Sequence, residues 1–357
     1  MNRTTCSEQQ SGLIMRPVQL SLVIGSKGTG VSTLLRNFGK RADAQDTLIV
    51  DEKGKNGVAN PLPVAWDTDA ITTWLKAIEE PYHASHIVLA ASDLKAPRYL
   101  LQSLASDPDL GALYRLNATT YVINAAVAGR SGTQDFERAA AVADRFILTH
   151  TDQAQTESVS QLARALKGLN PPAPILRARG GDIGPARLVD SGLFDPIDGS
   201  IDIDRWLCEA AFNFEATRRG GSAIRVNLPE TTLSRLNVDA GVRFFAVTID
   251  QPLDSNVLSV FLKLLMADRG ADLLRLKGIV ATEDHPDRPA LIDGREHLIQ
   301  PLLWLPTWPT ADRRGRLVFV TADTSEDWVR TLLTTLSDQL KLQAIPELQT
   351  AMMGKMG

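Results

Sequence analysis

Cysteine is nearly absent from this 357-residue chain, which has only Cys6, in a polar N-terminal stretch, and Cys208, in an apolar stretch of helical periodicity. So few cysteines exclude a disulfide framework and a thiolate metal cluster. Long apolar runs are also lacking, and neither a secretory leader nor a membrane-crossing segment is recognisable. Basic residues do not predominate, because the net charge is −4. We therefore expect a cytoplasmic protein with neither nucleic acid nor a membrane as partner.

Histidine is scarce as well, with five in the chain. Two of them, His83 and His86, lie three residues apart, a spacing that would suit a metal if the segment were helical. Pro81 precedes the pair and a β-rich apolar run follows it. The edge of a loop is the competing interpretation.

Apolar residues make up 44% of the chain and charged residues 22%, which is typical of a globular protein of about two domains. Strand-like and helix-like segments alternate in the first half. The strands are predicted at residues 20–24, 47–51, 86–91, 119–125 and 145–152, and the helices at residues 33–38, 70–79, 98–104, 134–143 and 158–169. This order predicts an α/β domain whose mostly parallel sheet is covered by helices, with ligands bound at the carboxyl ends of the strands.

A second unit follows a stretch rich in glycine, arginine and polar residues, which we interpret as a linker. Strands are predicted at residues 242–250, 273–281, near 298–304 and 316–322, and helices at residues 256–270 and 325–341. These elements predict a small α+β domain. The predicted organisation is an N-terminal arm at 1–17, a first domain at 18–216, a linker at 217–241, a second domain at 242–345 and a tail at 346–357.

The segment VIGSKGTGVSTLLR at residues 23–36 outlines a phosphate-binding loop, whose pattern is G-x-x-x-x-G-K-[ST] between a strand and a helix. In such a loop the backbone amides surround a phosphate and the hydroxyl residue binds magnesium. The lysine position of the pattern holds Val31. The candidate nucleotide-binding residues here are Gly25, Lys27, Gly28, Thr29, Gly30, Ser32 and Thr33, with Ser32 as the magnesium ligand.

Losing the lysine ammonium removes a charge-assisted hydrogen bond of roughly 1.5 to 3 kcal/mol, which weakens nucleotide binding by about ten- to a hundredfold. Catalysis suffers more, because the same ammonium stabilises charge that develops in the transition state. Lys27 lies within the loop and is a candidate for partial electrostatic replacement. The alternative is that Lys27 is an ordinary solvated lysine.

The order of motifs from about residue 20 to residue 340 resembles the CobW family of P-loop GTPases, often called metallochaperones. The similar segments are VIGSKGTGVST, DEKGKNGV at 51–58, AASDLKAP at 90–97, the stretch at 104–125 that ends in VINA, THTD at 149–152, SGLFDP at 191–196 and LLRLKGIVA at 273–281. The resemblance implies a P-loop NTPase domain followed by a CobW C-terminal-like domain. It also implies GTP or GDP with magnesium as the ligand.

The chain departs from the family pattern at the positions that carry chemistry. Ala90 stands where the family has the acid that assists magnesium or the attacking water, so no catalytic residue is assigned. Asp93 replaces the glycine that meets the γ-phosphate, and it either repels that phosphate or substitutes for the missing acid as a magnesium ligand. Thr149 and His150 replace the Asn and Lys of the guanine motif. Asp152 remains, either as the base-reading carboxylate or as the N-cap of the next helix.

The family's C-x-C-C motif is missing, because residues 59–74 contain neither cysteine nor histidine. No zinc site is therefore predicted. We interpret the chain as a degenerate CobW-like protein, a weak guanine-nucleotide binder or pseudo-GTPase that acts through an unknown protein partner. The alternative is an active GTP-hydrolysing metallochaperone that uses residues in altered roles, namely Lys27, Ser32, Asp93 and Asp152.

Overall fold

A computed structural model describes residues 17–40, 47–51, 62–63, 66–78, 86–127, 134–170, 173–184, 207, 243–295 and 297–343. The predicted features that lie outside these residues are most of the N-terminal arm, most of the segment at 51–58, His83, the SGLFDP segment, the linker, the C-terminal tail and both cysteines. The helices that the structure describes include none that is long and apolar enough to cross a membrane.

The first unit is built on a six-stranded sheet in which every neighbouring pair is parallel. Its order is β2-β3-β1-β4-β5-β6, so β1 lies inside the sheet between β3 and β4. The strands are β1 (Val18–Ile24), β2 (Thr47–Asp51), β3 (His86–Ala91), β4 (Tyr114–Asn124), β5 (Arg145–Thr149) and β6 (Ile175–Arg177). The parallel arrangement confirms the predicted fold class.

Among the described residues, six helices accompany this sheet, and apolar side chains from them and from the strands form two buried clusters. The helices are α1 (Val31–Gly39), α2 (Thr68–Ala77), α3 (Ala96–Ser106), α4 (Pro108–Leu113), α5 (Gln134–Val142) and α6 (Thr156–Leu169). Two predicted strands need correction. The fourth begins at Tyr114 rather than at residue 119, and the fifth ends at Thr149 rather than at residue 152, because His150 adopts a left-handed conformation with φ 53°.

The second unit is an antiparallel sheet of order β10-β9-β8-β12-β7, with β11 paired to β9. Its elements are β7 (Arg243–Ile249), α7 (Ser255–Arg269), β8 (Leu273–Thr282), β9 (His285–Arg295), β10 (Leu298–Ile299), β11 (Leu303–Trp304), β12 (Gly315–Thr321) and α8 (Glu326–Gln343). Phe245 and Phe319 stack at 4.9 Å in the core under the two helices. The predicted α+β class is confirmed, but the sequence missed β9 and merged β10 with β11.

The two units meet where β4 and β5 begin. The Gln300 side chain accepts from the Leu116 amide at 2.9 Å and donates to the Leu116 carbonyl at 3.0 Å. The adjacent Arg115 donates to the Pro301 carbonyl at 3.1 Å. Asp144, directly before β5, forms ion pairs with basic side chains of β8 and β9. The second unit therefore contacts the amino-terminal edge of the parallel sheet.

Candidate functional site

The candidate site is built on the turn between β1 and α1, at the carboxyl-terminal edge of the parallel sheet. β1 ends at Ile24 and α1 begins at Val31, so residues 25–30 form the phosphate loop predicted from the sequence. Gly28 and Gly30 have φ values of 88° and 91°, which residues with a Cβ atom rarely adopt. The two glycines let the chain curl into the start of α1, where the first amides of a helix have no acceptor in a preceding turn.

Gly25 is required for a different reason, which is close packing. A Cβ on Gly25 would lie 2.6 Å from the Thr29 hydroxyl and 2.9 Å from the Val122 carbonyl oxygen. The Gly25 amide donates to the Ala91 carbonyl at 3.1 Å, which fastens the start of the loop to β3. The loop is therefore packed directly on the sheet.

Three side-chain hydrogen bonds fix the carbonyl side of the loop. Thr29 donates to the Ser26 carbonyl at 2.8 Å within the loop. Thr149, at the end of β5, donates to the Thr29 carbonyl at 2.7 Å, and Asn124, at the end of β4, donates to the Gly28 carbonyl at 3.2 Å. Sequence reasoning missed the roles of Thr149 and Asn124. The available signal was that both are polar residues closing apolar strands.

Val31 occupies the lysine position as the first residue of α1, and it is only partly exposed. It packs against an apolar cluster that includes Leu34 and Val122. Lys27, Ser32 and Thr33 are exposed around the loop. The structure thus brings the predicted loop residues together, with a hydrocarbon side chain in the place of the ammonium.

Ala90 lies near the end of β3, in register with Val23 of β1 and Asp51 of β2. It is 5% exposed and offers no ligand atom to a cation. Asp51, the last residue of β2, is therefore the carboxylate that strand register places beside the missing acid. Sequence reasoning included Asp51 in a family segment without giving it a role. Its position at a strand end next to residue 90 becomes visible only once the strands are aligned.

Asp93 follows β3 in the turn that leads to α3. One carboxylate oxygen accepts from the Lys95 amide at 2.8 Å, and the Asp93 carbonyl accepts from the Ala96 amide at 3.2 Å. These bonds are those of a residue that initiates a helix. At least one oxygen of Asp93 is therefore engaged by the backbone, which weakens the hypothesis of a magnesium ligand.

The segment after β5 carries the remaining predicted residue, Asp152. His150 hydrogen-bonds through Nδ1 with the Thr149 hydroxyl at 3.0 Å, and a Cβ built on Gly30 would lie 3.7 Å from its ring. Asp152 is exposed in the following turn. The prediction that Asp152 caps the next helix is wrong, because α6 begins at Thr156 and Gln155 is its N-cap. Its role in reading the base stays a prediction.

Within the described part of the chain, no group of three or more metal-ligating side chains occurs. His83 lies outside that part. His86 begins β3, and its Nε2 is 2.7 Å from the Ser21 hydroxyl. Burial lowers the pKa of His86 to about 4, so the ring is neutral at pH 7. His86 is the first residue of a strand, as the predicted strand at residues 86–91 requires, so it does not lie on a helix as the metal-pair hypothesis needs.

A curled loop on the central strand, closed by a helix that presents its first amides, defines a P-loop nucleotide-binding protein. The family model described as the CobW/HypB/UreG nucleotide-binding domain matches residues 19–177. The model of the cobalamin synthesis protein cobW C-terminal domain matches residues 242–337. The chain therefore belongs to the CobW family of P-loop GTPases. Members of this family bind guanine nucleotides, generally with magnesium.

Solved structures agree with this fold. The zinc(II)-bound YjiA GTPase from E. coli is 19% identical with a TM-score of 0.57, and the match covers 90% of this chain and 99% of that chain. A zinc(II)-bound triple mutant of the YjiA GTPase is 18% identical with a TM-score of 0.58 and the same coverage. At this identity the likeness concerns the fold alone. No curated protein matched the chain in the sequence comparison.

Proposed function

We propose that this protein binds guanine nucleotide weakly, does not hydrolyse it and acts through a protein partner. One observation carries the proposal: a phosphate loop of intact shape has Val31 where the ammonium belongs. Gly28 and Gly30 keep the loop curled, and Thr149 and Asn124 hold its carbonyls. A phosphate at these amides needs no lysine to be bound, since the helix N-terminus itself attracts anions.

The residues present fit a nucleotide better than they fit its magnesium ion. Ser32 is exposed in the first turn of α1 and is suited to hold the cation by its hydroxyl. Ala90 supplies no second oxygen. When bound, magnesium neutralises phosphate charge. Weak retention of the ion follows from the incomplete set of oxygen ligands.

Hydrolysis needs stabilisation of the charge that develops on the transferred phosphoryl group. Val31 and Ala90 remove two sources of that stabilisation. Asp93 adds a carboxylate in the turn that, by the family pattern, faces the third phosphate. Like charges at about 4 Å in a partly wet site repel by a few kcal/mol. We therefore expect GDP to bind more tightly than GTP.

The test is calorimetric titration of GDP and GTP into the wild type, Val31→Lys and Val31→Met. Lysine should strengthen binding by about ten- to a hundredfold, because it adds a charge-assisted hydrogen bond of roughly 1.5 to 3 kcal/mol. Methionine has a similar length without the charge and should leave the affinity near that of the wild type. Phosphate release should stay at background in all three proteins. If none of them binds either nucleotide at millimolar concentration, the loop is a structural remnant.

A second candidate, active GTP hydrolysis, is favoured by one observation: Asp51 ends β2 in register with Ala90. A carboxylate on the neighbouring strand would bind magnesium in place of the acid that is missing at residue 90. Magnesium-dependent phosphate release that is lost in Asp51→Asn, with nucleotide binding retained, would establish this candidate. Release that persists in Asp51→Asn but is lost in Asp93→Asn would assign the role to Asp93 instead.

A further inference from the structure

The contact between the two units contains a group of buried charged side chains that the nucleotide site does not use. Asp144 accepts from Lys277 at 2.9 Å, from Arg275 at 3.1 Å and from Arg295 at 2.8 Å. All four side chains are at most 9% exposed. We call the whole group the junction cluster, and its members are Arg115, Asp144, Arg275, Lys277, Asp293 and Arg295.

Cations outnumber carboxylates in the junction cluster by four to two. Burial would raise the pKa of Asp144, but Lys277, Arg295 and Arg275 outweigh it and hold the pKa well below its usual range. Burial lowers the pKa of Arg115; Asp293 opposes this shift, while Arg295 and Arg275 add to it. A buried cation without a full counter-charge is unfavourable. The cluster therefore favours the approach of a further anion.

Arg295 is the member of the junction cluster with unsatisfied donors that also borders a cavity. Its Nη2 donates to Asp144, but its Nε and Nη1 are buried without a hydrogen-bond partner among the described residues. Nη1 lies 3.4 Å from an Asp293 oxygen, in an ion pair without hydrogen-bond geometry. Unsatisfied donors on a buried guanidinium are costly.

Arg295 forms part of the wall of a cavity of about 240 Å³ between α3 and α5. That volume is below the roughly 300 to 1,000 Å³ of pockets for drug-sized ligands, so it suits a small molecule. Three more cations line the cavity, and Asp135 is its one described acid. Asp135 forms an ion pair with Lys95 at 3.6 Å, and both side chains are half-exposed. The basic lining residues are Lys95, Arg98, Arg138 and Arg295.

We propose that this cavity binds the phosphate group of a small molecule, either inorganic phosphate or a phosphate monoester. The fork of a guanidinium group matches the oxygens of a phosphate. A dianion also neutralises more of the excess positive charge in the junction cluster than a monoanion does. Lys95 and Pro97 bring the start of α3 to the site, and Arg295 brings β9. The bound phosphate thus joins the segment after β3 to the second unit. This proposal is independent of nucleotide binding.

The test is titration of the intact protein with inorganic phosphate, glycerol phosphate and acetate, monitored by calorimetry and by hydrogen exchange of residues 95–101 and 25–32. Phosphate or its ester should protect residues 95–101, and acetate should not. The tighter of the two phosphates identifies the source. Protection confined to residues 25–32 would place the anion on the phosphate loop and overturn the proposal.

Variants sharpen the test. Arg138→Ala, on an exposed side chain, should weaken phosphate binding by about ten- to a hundredfold, the usual effect of losing a charge-assisted bond. Asp135→Asn removes the carboxylate that competes with phosphate for Lys95, and it should strengthen phosphate binding by about two- to fivefold. Arg164→Ala, on the exposed face of α6, is the control and should change nothing. Unaltered affinity in both Arg138→Ala and Asp135→Asn would refute the site.

Arg295→Lys tests the buried member, since it keeps a charge for Asp144 but loses the planar fork. It should weaken binding at least as much as Arg138→Ala. Phosphate affinity that survives Arg295→Lys in a folded protein would contradict the role of this guanidinium. If the variant does not fold, the Arg138 and Asp135 variants still decide the proposal.

Discussion

The two edges of the parallel sheet differ in what they have kept. At the carboxyl-terminal edge, the phosphate loop retains its glycines and its hydrogen bonds to β4 and β5, but Val31 and Ala90 replace the lysine and the acid of the motif. At the amino-terminal edge, Arg115 and Asp144 are buried with charged partners from the second unit. One edge keeps the shape of the loop but lacks the two charged side chains that the motif requires, and the other has charged side chains in a tightly packed contact.

This difference indicates which part of the fold can change independently. Loop shape depends on backbone conformation and a few neutral hydrogen bonds, so replacing the lysine or the acid leaves the scaffold standing. The junction cluster is different, because removing one carboxylate leaves several buried cations without a counter-charge. We expect substitutions at the loop to alter binding while preserving the fold, and substitutions at the junction to alter the fold itself.

The largest effect is expected for Asp144→Asn. It leaves Arg275, Lys277 and Arg295 facing a neutral amide in a buried site, which should lower the free energy of unfolding by about 3 to 5 kcal/mol. Asp312→Asn is the matched control, since Asp312 pairs with Arg314 at 2.8 Å on the surface. It should cost less than about 1 kcal/mol.

Urea unfolding of the wild type and both variants measures these costs. Equal losses for the two substitutions would mean that the junction cluster is no more important for stability than a surface ion pair. The contrast between the two edges would then fail.

The next effect concerns pH and His86, which begins β3 at the amino-terminal edge. Its pKa is about 4 in the folded protein and 6.5 without the fold, so between these values the unfolded chain binds the additional proton. Stability attributable to His86 is therefore complete above pH 6.5 and falls by up to about 3 kcal/mol as the pH drops towards 4. His86→Gln should be less sensitive over this window when unfolding is followed at pH 7 and pH 4.5. Parallel pH profiles would show that His86 is protonated in the fold.

The carboxyl-terminal edge of the sheet could largely be predicted from the sequence, whereas the amino-terminal edge could not. The glycine spacing at the loop and the alternation of strands and helices predicted the first sheet and its ligand edge. The loss of charge at Val31 and Ala90 was equally visible, because a motif states which residue each position should hold.

The junction was not open to prediction. Asp144 pairs with Arg275 and Arg295, more than a hundred residues away, and a single sequence gives no pattern for such contacts. β9 was not predicted because Pro286, Pro289 and several charged residues interrupt the apolar alternation that marks a strand. Of the two roles left open for Asp152, the helix cap is excluded because α6 begins only at Thr156.

The smallest effect expected is that of Thr149→Val, and it tests whether loop shape rests on its tethers. Valine has nearly the volume of threonine but cannot donate to the Thr29 carbonyl, which accepts from Thr149 at 2.7 Å in a buried setting. An unmet buried acceptor costs roughly 1 to 3 kcal/mol, although relaxation of the exposed loop towards water should keep the loss of global stability near 1 kcal/mol. Because the loop is then free to open, GDP affinity in the Val31→Lys background should fall by about tenfold. Ser160→Ala is the control, since its hydroxyl donates only to the Thr156 carbonyl on the exposed face of α6. Calorimetry on the double variants measures the effect, and an affinity unchanged by Thr149→Val would mean that the glycines alone hold the loop in its binding shape.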